Sequence, residues 1–207
     1  MNDRKKALVT GGATGIGRSA VLALAQAGYD VAINYASSAK AAKEVAALAQ
    51  GMGAQTMLLP CDVSDEAAVR AMMAQVDAQF GHLDALVNNA GIGFMMEPLV
   101  DMPLERWNTV IGVNLTGAFL CTQHAARQMI QQGRGGRIIN IASVAAKSGS
   151  LHLAAYSSSK HGMIGLTRSA ALELGAHRIT VNAICPNHVT TQLGAVQNAY
   201  RATQRGQ

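Results

Sequence analysis

Six short aliphatic runs, separated by longer segments with helical patterning, constrain this chain more than any other feature. The runs are Ala7–Thr10, Asp30–Asn34, Thr56–Cys61, Leu83–Val87, Arg137–Ala142 and Arg178–Ile184. A strand with one wet face alternates apolar and polar residues, whereas a nearly continuous aliphatic strand is buried on both faces, as in a parallel sheet covered by helices. The intervening segments supply those helices. Val21, Leu22, Leu24 and Ala25 form an apolar face that stops near Gly28, and an alanine-rich stretch runs from Ala39 to Gln50. A third helix opens on Ser64-Asp65-Glu66, with acids in its first turn, and runs to Phe80; two long ones span Leu104–Gln132 and Ala154–Leu174. Repeated strand–helix units joined by right-handed crossovers build an α/β, doubly wound parallel sheet. No linker or repeat divides residues 1–207, so one domain is expected.

Charge and composition narrow the partners. Lys and Arg exceed Asp and Glu by 17 − 12 = 5, a scattered excess whose densest run is Arg4-Lys5-Lys6, too short for a nucleic-acid arm. Aromatic residues are 4%, which leaves little for base stacking. No run approaches the roughly 20 apolar residues that span a bilayer, so no membrane partner is expected. Cys61, Cys121 and Cys185 form no close pair, which points to reduced thiols and a cytoplasmic protein. The six histidines show no metal-ligand spacing, and no metal site is expected.

Thr10-Gly11-Gly12-Ala13-Thr14-Gly15-Ile16-Gly17 follows the first strand and opens the first helix. Glycines there permit a tight turn and close backbone approach to a pyrophosphate, while the helix N-terminus offers free amides and a positive dipole end. Gly12 to Ser19 also stands one residue from a P-loop. Its lysine position is Arg18, and the fourth strand ends in Asn88 rather than a magnesium-binding acid, which disfavours nucleotide hydrolysis. Tyr156 and Lys160 are four apart on a helix and share a face, and Ser143 ends the fifth strand, where a doubly wound sheet opens its ligand crevice. A phenol beside an ammonium can exchange protons near neutral pH, and a serine hydroxyl can bond a carbonyl or alcohol oxygen.

Together, the loop Thr10–Gly17, Asn88-Asn89-Ala90-Gly91, Asn114, Ser143, Tyr156 and Lys160 resemble the motifs of the short-chain dehydrogenase/reductases, from Lys6 to about Thr191. The resemblance implies a Rossmann-like fold and an oxidoreductase that moves a hydride between a nicotinamide cofactor and a carbonyl or secondary alcohol of a small molecule. It implies Tyr156 as acid and base, Lys160 on the nicotinamide ribose, Ser143 on the substrate oxygen, and Asn114 holding a water that links Lys160 to a proton relay. Gly11, Thr14, Gly15, Ile16 and Gly17 would take the pyrophosphate. Asp62 and Val63 would contact the adenine, Asn88, Ala90 and Gly91 the adenosine side, and Pro186, Val189 and Thr191 the nicotinamide end. The two long helices would pair copies of the chain into a homodimer or homotetramer.

The stretch Ala32-Ile33-Asn34-Tyr35-Ala36-Ser37-Ser38 carries no acid to grip a ribose 2′-hydroxyl. Asn34, Ser37 and Ser38, with Arg18 and Lys40 near, would suit a 2′-phosphate, so NADP(H) is expected over NAD(H). Asn187 stands where the family has glycine after the sixth strand, and asparagine is the non-glycine residue that best tolerates positive φ, so the turn is expected to survive. Gln192 to Gln207 is polar, without a β-branched run, so the family's seventh strand and substrate-covering segment are expected to be missing. That opens a second reading, a nucleotide-binding member without turnover. Met95 and Met96 are candidates for an apolar wall of the substrate crevice, and His152 for a substrate contact.

Overall fold

The computed structural model describes residues 4–93, 96–187 and 189. Six parallel strands form one sheet: β1 Lys5–Val9, β2 Tyr29–Tyr35, β3 Thr56–Pro60, β4 Ala85–Asn88, β5 Gly136–Ile141 and β6 Ile179–Ile184. Their spatial order is β3-β2-β1-β4-β5-β6, so the winding reverses between β1 and β4 and leaves a crevice at the C-terminal ends of those strands. Helices α1 Gly15–Gln26, α2 Ala39–Gly51 and α3 Glu66–Phe80 follow the first three strands, and α4 Leu104–Ile111, α5 Gly117–Gln132 and α6 Ala154–Leu174 connect the rest.

Each face of the sheet has its own core. Leu8, Leu86 and Ile138 pack with Met72, Val76, Cys121 and Met129 of α3 and α5. Val9, Ile33 and Val87 pack on the other side with Val21, Ala25, Val45 and Ala49 of α1 and α2. Burial on both faces is why the strands read as continuous aliphatic runs. Among the described residues, no helix is long and apolar enough to cross a membrane.

Several element ends differ from those expected from the sequence. Thr10 leaves β1 because its Oγ1 accepts from the amides of Asn89 and Ala90. Leu83 precedes β4 because the Gln132 side chain bonds both its N–H and its carbonyl. Arg178, at φ +60°, turns the chain before β6. The long helix expected over Leu104–Gln132 contains a π-helical turn at Gly112–Thr116, between α4 and α5. Asn187 has no need of that tolerance: among the described residues, the non-glycine positions with positive φ are His152 and Arg178.

Candidate active site

The glycine loop is folded back on the start of α1. Gly11 and Gly15 take φ of +60° and +54°. A Cβ on Gly17 would lie 2.2 Å from the Gly11 carbonyl oxygen, so this helix–loop approach requires glycine. Asn89, which the sequence reading quoted without a role, holds the loop: its Nδ2 donates to the carbonyls of Thr10 and Gly11, both at 3.0 Å. At the N-terminus of α1, Thr14 makes no side-chain cap among the described residues, and the first turn carries no acid. The helix therefore presents uncapped first-turn amides beside Gly11 and Ala90, a cradle suited to a pyrophosphate.

Two asparagines fall elsewhere than expected. Asn34 is buried, accepts from Gly11 N, and donates to Leu59 O and Cys61 O at 3.1 and 2.9 Å. Both amide hydrogens are engaged, so Asn34 braces the glycine loop from beneath and is not a 2′-phosphate donor. Asn88 turns its side chain into the protein, where Nδ2 donates to Thr122 Oγ1 and Asn140 Oδ1, and Asn140 Nδ2 donates to Thr167 Oγ1. That network joins β4 and β5 to α5 and α6, so the Asn88 side chain does not line the adenosine side.

Ser37, Ser38, Lys40, Thr14 and Arg18 are exposed around the open ends of β2 and α1. Asp62 is exposed after β3, its Oδ1 accepting from the amide and hydroxyl of Ser64. Val63 beside it is buried under α5, where a Cβ on Gly117 would lie 2.6 Å from Val63 Cγ2.

Ser143 lies just beyond β5 and caps a short turn, its Oγ accepting from Ala145 N at 3.1 Å. Tyr156 sits in the first turn of α6, and the Ser143 side chain is near enough to its phenol to affect its titration. Lys160 is 4% exposed; its Nζ donates to Ile141 O at 2.8 Å and stands 5.8 Å from the centre of the Tyr156 ring. Burial pulls Lys160 from an ordinary 10.5 down to about 8, with Cys185 nearby opposing the shift. Burial raises Tyr156 above its ordinary value, and the Ser143 side chain opposes that rise.

Asn114 is fully buried within the π-helical turn. Its Oδ1 accepts from Ile92 N at 2.8 Å, and its Nδ2 donates to Ile92 O at 2.9 Å and Ser159 Oγ at 3.1 Å. A Cβ on Gly91 would lie 3.3 Å from Asn114 Oδ1 and 3.7 Å from Lys160 Nζ, which places these three residues together. Pro186 O accepts from Val144 N and ties the end of β6 to the Ser143 turn, and Val189 is exposed beyond it. Glu97 N donates to His152 O at 3.0 Å, strapping the loop after β4 to the one before α6. Met96 is half-buried; Met95 and Thr191 lie outside the described residues.

The family described as "short chain dehydrogenase" matches residues 5–202. The chain is 45% identical over 193 residues to a 3-oxoacyl-[acyl-carrier-protein] reductase, FabG, of Staphylococcus aureus, covering 93% of this chain and 78% of the relative. Its fold matches the crystal structure of acetoin dehydrogenase YohF from Salmonella typhimurium with a TM-score of 0.88 at 40% identity, over 92% of this chain and 75% of that one. It also matches an NAD+-bound xylitol dehydrogenase with a TM-score of 0.85 at 38% identity, over 89% and 70% of the two chains.

Proposed function

The chain belongs to the short-chain dehydrogenase/reductase family, and from that premise we propose how its residues divide the work. It is an NAD(P)(H)-dependent oxidoreductase acting on carbonyl and alcohol groups. The cradle fits such a cofactor: the uncapped first turn of α1, the left-handed Gly11 and Gly15, and the close Gly17 leave room for phosphate oxygens against backbone amides. When bound, the nicotinamide supplies or takes up the hydride. Tyr156 gives the proton to the substrate oxygen in reduction and removes it in oxidation, Ser143 donates a hydrogen bond to that oxygen, and Lys160 holds ribose hydroxyls and stabilises the phenolate.

The observation that carries this reading is the buried Lys160 amine, held by Ile141 O one helical turn from the Tyr156 ring at 5.8 Å. Tyr156→Phe tests it. Turnover should fall by at least about 10²-fold with cofactor Kd within about twofold; undiminished turnover removes Tyr156 from the chemistry. The assembled triad favours turnover, and no observation favours a binding-only protein.

NADP(H) is preferred over NAD(H) in this proposal. No acid follows β2, and Ser37, Ser38, Lys40 and Arg18 are exposed there, a donor set for a 2′-phosphate that no longer includes Asn34. A lower kcat/KM with NADPH than with NADH overturns it. The proposed substrate is a small ketone, a ketoacyl thioester or a polyol, the range spanned by the relatives' names, and a panel with Tyr156→Phe as control selects among them. Phe119 and Ile130, on one face of α5, are 43% and 38% exposed, which supports pairing of two copies through this helix. A monomer by light scattering overturns that. The free thiols Cys61, Cys121 and Cys185 support a cytoplasmic setting.

A further inference from the structure

We propose that Ser159 is a positioning residue of this active site: its hydroxyl fastens the π-helical turn at Asn114 to the helix carrying Tyr156 and Lys160. Through Asn114, it sets the loop at Gly91 and Ile92 against the Lys160 amine. The inference rests on the functional reading above. Ser159 stands one residue before Lys160 on α6 and is fully buried. Its Oγ donates to Tyr156 O at 2.7 Å and accepts from Asn114 Nδ2 at 3.1 Å. The hydroxyl thus bonds both the backbone of the proton-transfer residue and a side chain from another element.

Asn114 passes the constraint on. Its carboxamide clasps both the N–H and the carbonyl of Ile92, so every polar hydrogen it owns is used inside the protein. Ile92 follows Gly91, whose missing Cβ would come within 3.7 Å of Lys160 Nζ. The chain of contacts therefore leaves α6 at Ser159 and returns to α6 at Lys160. Water cannot replace the hydroxyl easily, because α6 lies hard against the turn: a Cβ on Gly162 would meet Leu115 Cδ2 at 2.6 Å. π-Helical turns are rare single-turn bulges, frequent at functional sites, and this one is tied to α6 through the Asn114–Ser159 bond.

The test compares Ser159→Ala and Ser159→Thr with the full chain and its nicotinamide cofactor. Alanine is the better helix former, so α6 should survive. Ser159→Ala should lower kcat by about tenfold, leave KM and cofactor Kd within about twofold, and displace the pH profile of kcat by about half a unit as the Lys160 pocket loosens. It should also speed amide exchange at Ile92. Ser159→Thr keeps the hydroxyl and should restore the wild-type pH profile, even with a lower Tm from its extra methyl. A wild-type kcat and pH profile in Ser159→Ala overturns the proposal. So does loss of folding, which would make the hydroxyl a support of the fold, or a Ser159→Thr enzyme that folds and keeps the altered profile. Tyr156→Phe measured alongside separates the two claims: if that variant is active the functional reading fails, and if it is inactive while Ser159→Ala is normal, only this inference fails.

Discussion

Replacing Lys160 by methionine should stabilise the cofactor-free protein at pH 7 while abolishing turnover. Lys160 is 4% exposed, and burial lowers its amine from an ordinary 10.5 to about 8. The difference, 10.5 − 8 = 2.5, corresponds to about 3 kcal/mol against the charged folded form, at about 1.4 kcal/mol per pH unit. An unfolded chain keeps this proton up to about 10.5, whereas the folded chain releases it near 8. The penalty is therefore complete below pH 8 and fades as the pH rises from 8 to 10.5. Methionine keeps an unbranched apolar stem and removes the charge, but it deprives Ile141 O of its donor, at a cost of about 1–2 kcal/mol. The net gain at pH 7 is about 1–2 kcal/mol, or roughly 5 °C in Tm for a chain of this size. Thermal melts of wild type and Lys160→Met at pH 7 and pH 10 check this, and the difference between the two proteins isolates this group from other titrations. The gain should shrink or reverse by pH 10, where the wild type has shed the charge. A variant less stable than wild type at pH 7, or a difference that ignores pH, would refute the reasoning.

Other consequences follow from the same geometry. Gly17→Ala puts a Cβ 2.2 Å from Gly11 O and 2.5 Å from Asn89 Nδ2. Cofactor affinity by fluorescence titration should fall at least about tenfold with the sheet intact, and an unchanged Kd would contradict the cradle. Asn34→Ala removes three bonds to the backbone of two segments, the glycine loop and the end of β3. Urea unfolding should show a loss of about 3 kcal/mol, and a loss below about 1 kcal/mol would mean the amide braces nothing. In the oxidation direction the phenolate is the working form, and burial holds Tyr156 above its ordinary value. The kcat should climb with pH through the alkaline range, and a flat profile argues against Tyr156 as base.

The sheet was legible because a strand buried on both faces has few alternatives to a continuous aliphatic sequence, and the Ala154–Leu174 helix was legible to its ends. What moved were boundaries set by side-chain-to-backbone bonds across the chain. Gln132 reaches Leu83 over 49 positions and Thr10 reaches Ala90 over 80, separations that no local pattern records. In the site, Tyr156 and Lys160 could be paired because one helix fixes their spacing. The inward turn of the Asn34 and Asn88 side chains was not legible, because a polar residue at a strand end can face a ligand or the core, and only the sheet's pleat and neighbours decide which. The π-helical turn at Asn114 left no trace, since Gly112 to Thr116 contains nothing that a regular helix would refuse.

The two buried charges are compensated differently at the two ends of the sheet. Among the described residues, two buried side chains carry full charge, Asp30 and Lys160. Asp30 lies toward the N-terminal ends of the strands, bonded to Lys6 at 2.5 Å and Arg4 at 3.1 Å and accepting from Gln55 N, and those partners hold its carboxyl below the usual range against desolvation. Lys160 lies toward the other end, where its amine donates to the neutral carbonyl of Ile141 and where Asn34, Asn88, Asn89, Asn114 and Asn140 supply uncharged cross-links. An amide can join three segments with two donors and an acceptor and bring no charge of its own. A carboxylate placed there would compensate Lys160 as Lys6 compensates Asp30, but it would also occupy the amine and repel an anionic cofactor. On the proposed reading, an ammonium with no acidic partner among the described residues, at a cost of about 3 kcal/mol, can still turn to ribose hydroxyls and the phenol. Cofactor binding should accordingly raise Tm by more in the wild type than in Lys160→Met, since only the wild type carries an amine for the ligand to satisfy.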